Sequence, residues 1–146
     1  MPRKLFTPEE ANAMLAQVRP VVERVTEASA ALREAQAQLA VLLRTHGEAT
    51  MDTPGHPARE HYWSLVARAR EMEDRLQQLA DELAFQGVEL KDLDRGLLDF
   101  RSQRDGEEVC LCWQLGEPEV AWWHGLKTGF AGRQPILKVE RRPPSN

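Results

Sequence analysis

The chain has 146 residues, enough for one compact domain or for a long helical element with a small appended fold, and two independent domains would be cramped. Its formal net charge is −4 and its basic residues are interspersed with acidic ones, which argues against a nucleic-acid binder presenting a basic patch or stripe. The opening MPRKLFTPEEANAML lacks the apolar run of a signal peptide and no stretch approaches the roughly 18 apolar residues of a membrane span, so a soluble, cytoplasmic protein with no membrane partner is expected.

Residues 1–87 read as a helical hairpin. Thr7 followed by Pro8 and Glu10 matches an N-cap, a proline at the first helical position and the acid of a capping box. From there Ala11, Met14, Val18, Val21, Val25, Ala28, Leu32, Ala35, Leu39 and Leu42 recur in alternating steps of three and four, a heptad seam of the coiled-coil kind. Pro20 lies off this seam and predicts a kink around Gln17 to Pro20, because it removes one backbone hydrogen bond and crowds the preceding turn. The stretch HGEATMDTPGHP, from His46 to Pro57, breaks the pattern and reads as a loop; His46, His56 and His61 around it look like surface composition. A second seam follows at Tyr62, Leu65, Ala69, Met72, Leu76, Leu79 and Leu83, with Gly87 placed as a C-terminal cap. The expectation is two antiparallel helices, about residues 7–45 and 58–86. The run of alanines at Ala28, Ala30, Ala31, Ala35, Ala37 and Ala40 suits close approach of another helix, so a homodimer through the long helices is expected as well.

After Gly87 the period falls to two: Val88 and Leu90, then Leu98 and Phe100, then Val109, Leu111 and Trp113 alternate with polar or small residues. Residues 88–146 therefore read as a small antiparallel β-meander, and the whole chain as an α+β fold in one folding unit. Asp105-Gly106 is a hairpin signal, and a turn centred there places Asp99 opposite Cys112, Phe100 opposite Leu111 and Arg101 opposite Cys110. The next turn, Leu115 to Glu119, leaves two registers open: one puts His124 on the face of Asp99, Arg101 and Cys112, the other groups it with Leu111 and Trp113. A disulfide between Cys110 and Cys112 is expected to be geometrically poor, and both read as small buried hydrophobes.

The motifs Gly87-Val88, Lys91-Asp92, Gly96-Leu97-Leu98-Asp99-Phe100, Leu111-Cys112-Trp113, Gly116-Glu117, Trp123-His124 and Gly129-Phe130-Ala131-Gly132-Arg133, with the FTPEEANAML start, resemble a bacterial and archaeal family known as domain of unknown function 2203 over essentially the whole chain. The resemblance implies a common fold and a shared site in the C-terminal half, and it lends no reaction. Lys91, Asp92, Asp99, Trp113, Glu117, His124 and Arg133 fall on the family's motifs.

Polar residues converging beside tryptophans have the makeup of a ligand pocket, and the candidates are Asp99, Arg101, Glu117, His124, Arg133 and Trp113. Asp99, Glu117 and His124 are also a chemically reasonable set for a divalent metal, although they lack the local spacing of HExxH or paired CxxC motifs. The Gly129 to Arg133 loop could hold an anion through its amides and guanidinium. Each residue has a structural alternative: Asp99 as partner of Arg101, His124 as a buried imidazole satisfied by a carbonyl, the glycines as plain turn residues. Two functions follow. One is a dimeric module that binds a small polar ligand or a protein partner; the alternative is a small metal- or acid/base-dependent hydrolase using the same residues, against which stands the lack of an evident nucleophile.

Overall fold

Thr7 opens the fold with a reciprocal cap, its hydroxyl accepting the Glu10 N–H while the Glu10 carboxylate accepts the Thr7 N–H. In the computed structural model, which describes residues 4–136, helix α1 runs from Pro8 to His46. The expected kink does not interrupt it. Pro20 and Ala16, whose carbonyl loses its partner to the proline, are both exposed, so water can satisfy the freed acceptor. Gly47, with φ 79°, ends the helix. Where a plain loop is expected, one helical turn intervenes, α2 (Glu48–Met51), and its buried Met51 plugs the end of the hairpin. Helix α3 (Pro57–Phe85) then begins at His56, whose Nδ1 accepts the Ala58 N–H. No helix among the described residues is long and apolar enough to cross a membrane.

The seams meet as their spacing demands: Val18, Val21, Val25 and Ala28 of α1 belong to one buried cluster with Met72, Leu76, Leu79 and Leu83 of α3. α1 also buries a second stripe, Leu15, Val22 and Ser29, one residue beyond the seam and seven apart. That stripe widens the apolar face enough for a helix to pack on two partners. Beyond Ala28 the core thins to Ala35, Leu65 and Ala69, and Val41 and Trp63 are left exposed.

Strands β1 (Val88–Asp92), β2 (Leu97–Arg104), β3 (Glu107–Gln114), β4 (Trp122–Gly125) and β5 (Gln134–Pro135) form an antiparallel meander in chain order. Asp105 and Gly106 both have positive φ, 53° and 81°, the signature of a two-residue type I′ hairpin. The register is the one that turn predicts, with Asp99 opposite Cys112, Phe100 opposite Leu111 and Arg101 opposite Cys110. Val88, Leu98, Phe100, Leu111 and Trp113 therefore face the helices and join their core. Phe6 continues that layer edge-on to Phe100, ring centres 5.3 Å apart. The turn between β1 and β2 is tied to α1 at three points: Ser29 donates to Asp94, Arg33 pairs with Asp94 at 3.0 Å, and Gly96 backs onto Val22 and Thr26.

Gly96 has φ 68°, and a Cβ there would lie 2.7 Å from Val22 Cγ1 and 2.9 Å from Leu115 Cβ. Gly96→Ala is expected to lower stability by about 2–4 kcal/mol in urea unfolding, since it adds overpacking to backbone strain. Gly106→Ala, with nothing within 4 Å of the added carbon, should cost only the strain, about 1 kcal/mol. Because one buried cluster spans helices and sheet, helix loss by far-ultraviolet circular dichroism and tryptophan fluorescence should follow one transition; two separated midpoints would mean two folding units.

Candidate functional site

β3 and β4 are joined by a loop that two elements hold in place. The Asn12 carboxamide accepts the Val120 N–H at 2.7 Å and donates to the Val120 carbonyl at 3.2 Å, tying the loop to α1. Trp113 Nε1 donates to the Glu117 carbonyl at 3.0 Å, and the Glu117 carboxylate accepts the Gln114 N–H at 2.7 Å. β4 enters the sheet with Cys110 opposite His124, Leu111 opposite Trp123 and Cys112 opposite Trp122. Of the two registers open to the sequence, this is the one that places His124 on the face of Asp99.

On that face His124 Nε2 lies 3.0 Å from Asp99 Oδ1, with side-chain exposures of 5% and 4%. Nδ1 lies 2.7 Å from the Gly125 carbonyl. A carbonyl only accepts, so Nδ1 carries a proton, and a further proton lies between Nε2 and the carboxylate. Both ring nitrogens are engaged. Cys112 completes the group: its Sγ, the Asp99 carboxylate oxygen and the imidazole nitrogen all lie within 4.8 Å of one another. Burial pushes the Cys112 thiol up to about 12, against the opposing pull of the Arg133 guanidinium, and burial with the charge of Asp99 pushes Cys110 up to about 11. Both cysteines are free thiols on one face, and two residues along a strand separates their Cα atoms by about 6.8 Å, the far end of the disulfide range. Neither is a thiolate at neutral pH, and no ring nitrogen of His124 is open to deprotonate one, so the group holds no activated cysteine nucleophile.

The chain after β4 turns back over this face as a lid, through a 3₁₀ turn at Phe130–Gly132. Two guanidinium groups lie over the Phe130 ring, Arg95 at 4.0 Å and Arg133 at 4.6 Å, and Arg133 also covers Trp122 at 4.9 Å. Two hydrogen bonds from Arg133 to the Glu117 carboxylate, at 3.0 and 2.9 Å, latch the lid down, and a third reaches the Cys112 carbonyl. Between lid and sheet remains a recess of about 190 Å³ lined by Lys91, Asp99, Arg101, Cys110, His124 and Phe130, among others. Arg101 pairs with Glu89 at 2.5 Å and Lys91 with the same carboxylate at 3.2 Å, so much of the positive charge at the rim is compensated. The Arg101 hydrogen bond, with Lys91 beside it, holds the Glu89 carboxyl below the usual carboxylate range. A depressed carboxyl stabilises the fold above its ordinary pKa, and that contribution is lost as the pH falls through its folded value.

Of the residues proposed from sequence, Asp99, Arg101 and His124 share the recess. Glu117 and Arg133 are bonded to each other at its back, so Glu117 does not join Asp99 and His124, and the third donor there is Cys112. Trp113 lies on the opposite face, fully buried against the helices. Asp92 accepts the N–H groups of Asp94 and Arg95 and shapes the β1–β2 turn. Nothing in the sequence marks Asn12, because a polar residue in the first helical turns looks like surface.

The family model described as an uncharacterized conserved protein, DUF2203, matches residues 4–136. The chain belongs to this family. No curated protein and no solved structure matches it. The DUF2203 match takes in hairpin and sheet together, so Asn12, Asp99, Cys112 and His124 all lie inside the family domain.

Removing either member of a buried hydrogen-bonded pair strands the other, so Asp99→Ala and His124→Ala are each expected to cost about 3 kcal/mol in urea unfolding, well beyond a surface substitution. Near-native stability in both variants would show that the pair is solvated. Both cysteines should resist thiol reagents at pH 8 in the folded protein and react at once in denaturant; rapid labelling of the folded chain would contradict their raised pKa values.

Proposed function

We propose that this chain is a dimeric binding module whose recess, at Asp99, Arg101 and His124 under the Phe130 lid, takes a small polar ligand. The observation that carries this reading is the shape of the site: a few convergent polar groups on rigid strands beneath an apolar wall, closed by a latched loop. His124 spends both nitrogens on fixed partners, which suits recognition through an oriented network. The acid/base form of the hydrolase alternative loses support for the same reason, since a general base needs a free nitrogen and the thiols are far from ionising. Two free cysteines fit a reducing, cytoplasmic setting.

A second copy is the proposed partner of the hairpin's far half. Val25 is fully buried within its own chain, so the seam near it is not available for pairing. Val41, at 51% exposure, lines a shallow groove with Glu34, Ala37, Gln38, Leu42 and His61, and Trp63, at 43%, is uncovered elsewhere on α3. Light scattering at micromolar concentration should give twice the chain mass, and Val41→Glu with Trp63→Glu should give the single mass without lowering the thermal midpoint. A monodisperse wild-type monomer would remove the dimer.

Native mass spectrometry of the protein as purified, followed by thermal shift with small carboxylates and phosphates, tests the recess. A retained mass or a midpoint shift that Arg101→Met abolishes is the expected result. Neither effect in the wild type would end the ligand reading.

A further inference from the structure

Asp99 on β2, Cys112 on β3 and His124 on β4 come from three neighbouring strands and bring an oxygen, a sulfur and a nitrogen within 4.8 Å of one another. We infer that these three side chains form a binding site for one divalent transition-metal ion, of the zinc and cobalt kind. The site stands on the geometry of the strands and does not depend on the recess taking a ligand.

Three properties of the group fit an ion. First, spacing: donor atoms around a tetrahedral zinc stand about 3.3–3.7 Å apart at ordinary bond lengths, and the atoms here span from 3.0 Å to no more than 4.8 Å. That range brackets the tetrahedral spacing. Second, orientation: Nδ1 of His124 donates to the Gly125 carbonyl, which is the outer partner a ligating imidazole uses to fix its tautomer and to direct the Nε2 lone pair at a metal. The proton now between Nε2 and Asp99 is what the ion would replace. Third, charge: a carboxylate and a thiolate balance a divalent cation, leaving a neutral assembly, which is the condition for burying one among groups of 5% exposure or less.

The donor set selects the metal. Thiolate with imidazole favours zinc or cobalt, whereas magnesium and calcium seek six or more oxygens and only Asp99 offers one. Three protein ligands leave a fourth position, and Asp99 and His124 both line the recess through which water or a small ligand would reach it. A hydrogen-bonded structural pair would need Asp99 and His124 alone. Cys112, directly opposite Asp99, adds the sulfur that makes the pair a set of three donors.

The test is cobalt titration of the full chain after chelator dialysis under reducing conditions, read by metal analysis and absorption. One cobalt per chain is expected, with a thiolate-to-cobalt charge-transfer band in the near ultraviolet. Cys112→Ala should abolish the band, and zinc competition should show an affinity loss larger than the roughly 10- to 100-fold that removal of an outer partner costs. Cys110→Ala, on the same face but outside the group, should keep the band. No cobalt binding by the wild type, a band that survives Cys112→Ala, or a band lost in Cys110→Ala would each overturn the proposal. If Cys112→Ala does not fold, Cys112→Ser preserves the volume and must lose the band. None of these readouts requires a ligand in the recess, so an absent metal leaves the recess reading standing, and an empty recess leaves the metal site standing.

Discussion

The Asn12 carboxamide holds the Val120 backbone as a neighbouring strand would, accepting from its N–H and donating to its carbonyl. Val120 is buried in the helix-facing core two residues before β4 begins, so the amide fixes where the chain enters the sheet, and the pairing of Trp123 with Leu111 then sets His124 on the opposite face. A slip of one residue would send His124 into the helix-facing layer and carry Trp123, which packs on the core, out to the lid side. Each hydrogen bond contributes only about 1 kcal/mol net. The slip would cost more, because it leaves the Asp99 carboxylate buried without a partner and uncovers an indole. The amide thus tips a choice that burial then enforces.

The outer face exists because of that register. With Asp99, Cys110, Cys112 and His124 aligned, the sheet presents a layer too polar for a plain core and too buried for a solvated surface. The lid resolves this conflict. Arg133 brings a guanidinium to the back of the layer, Glu117 neutralises it, and the Phe130 and Trp122 ring centres lie 4.6 and 4.9 Å from it. An exposed ion pair would hold a lid poorly. Here the partners are largely buried, at 14% and 25% side-chain exposure, and joined by two parallel hydrogen bonds, a geometry in which arginine and carboxylate hold both distance and angle. Glu117 and Arg133 therefore shape the recess from outside it.

What the sequence discloses follows from how far each rule reaches. Thr7 and Glu10 are three residues apart and cap each other, Asp105 and Gly106 are adjacent and set a hairpin register, and the seams repeat every three or four residues; all of these are legible because cause and effect lie within a turn or two. Asn12 is not, because its partner is 108 residues away and nothing near it predicts a strand. Glu117 and His124 look equally suited to Asp99 on paper. Only the closed lid shows that Glu117 is already committed to Arg133, and competition between partners does not appear in spacing. Leu15, Val22 and Ser29 were hidden for another reason: a heptad reading stops at one seam, and the second stripe has meaning only when the sheet is there to cover it.

The two ends of the hairpin differ in a way that bears on what the far end is for. Near the sheet, Phe6, Leu83, Phe100 and Trp113 are buried to 2% exposure or less, and both helices are clamped by large side chains. From Ser29 to His46, about 25 Å of helix at 1.5 Å per residue, the shared core is Ala35, Leu65 and Ala69 with partly buried leucines, closed at the tip by Met51. Alanine contacts bury little area, and two helices of this length joined by so little are marginal in water. The far half stays ordered because its helices continue out of a rigid base without a break, even at Pro20, and because the small residues let them run close together. The far half is thin, and it carries the uncovered Val41 and Trp63 away from the sheet that holds the site. That separation sets the far groove, lined by α1 and His61, apart from the recess on the sheet.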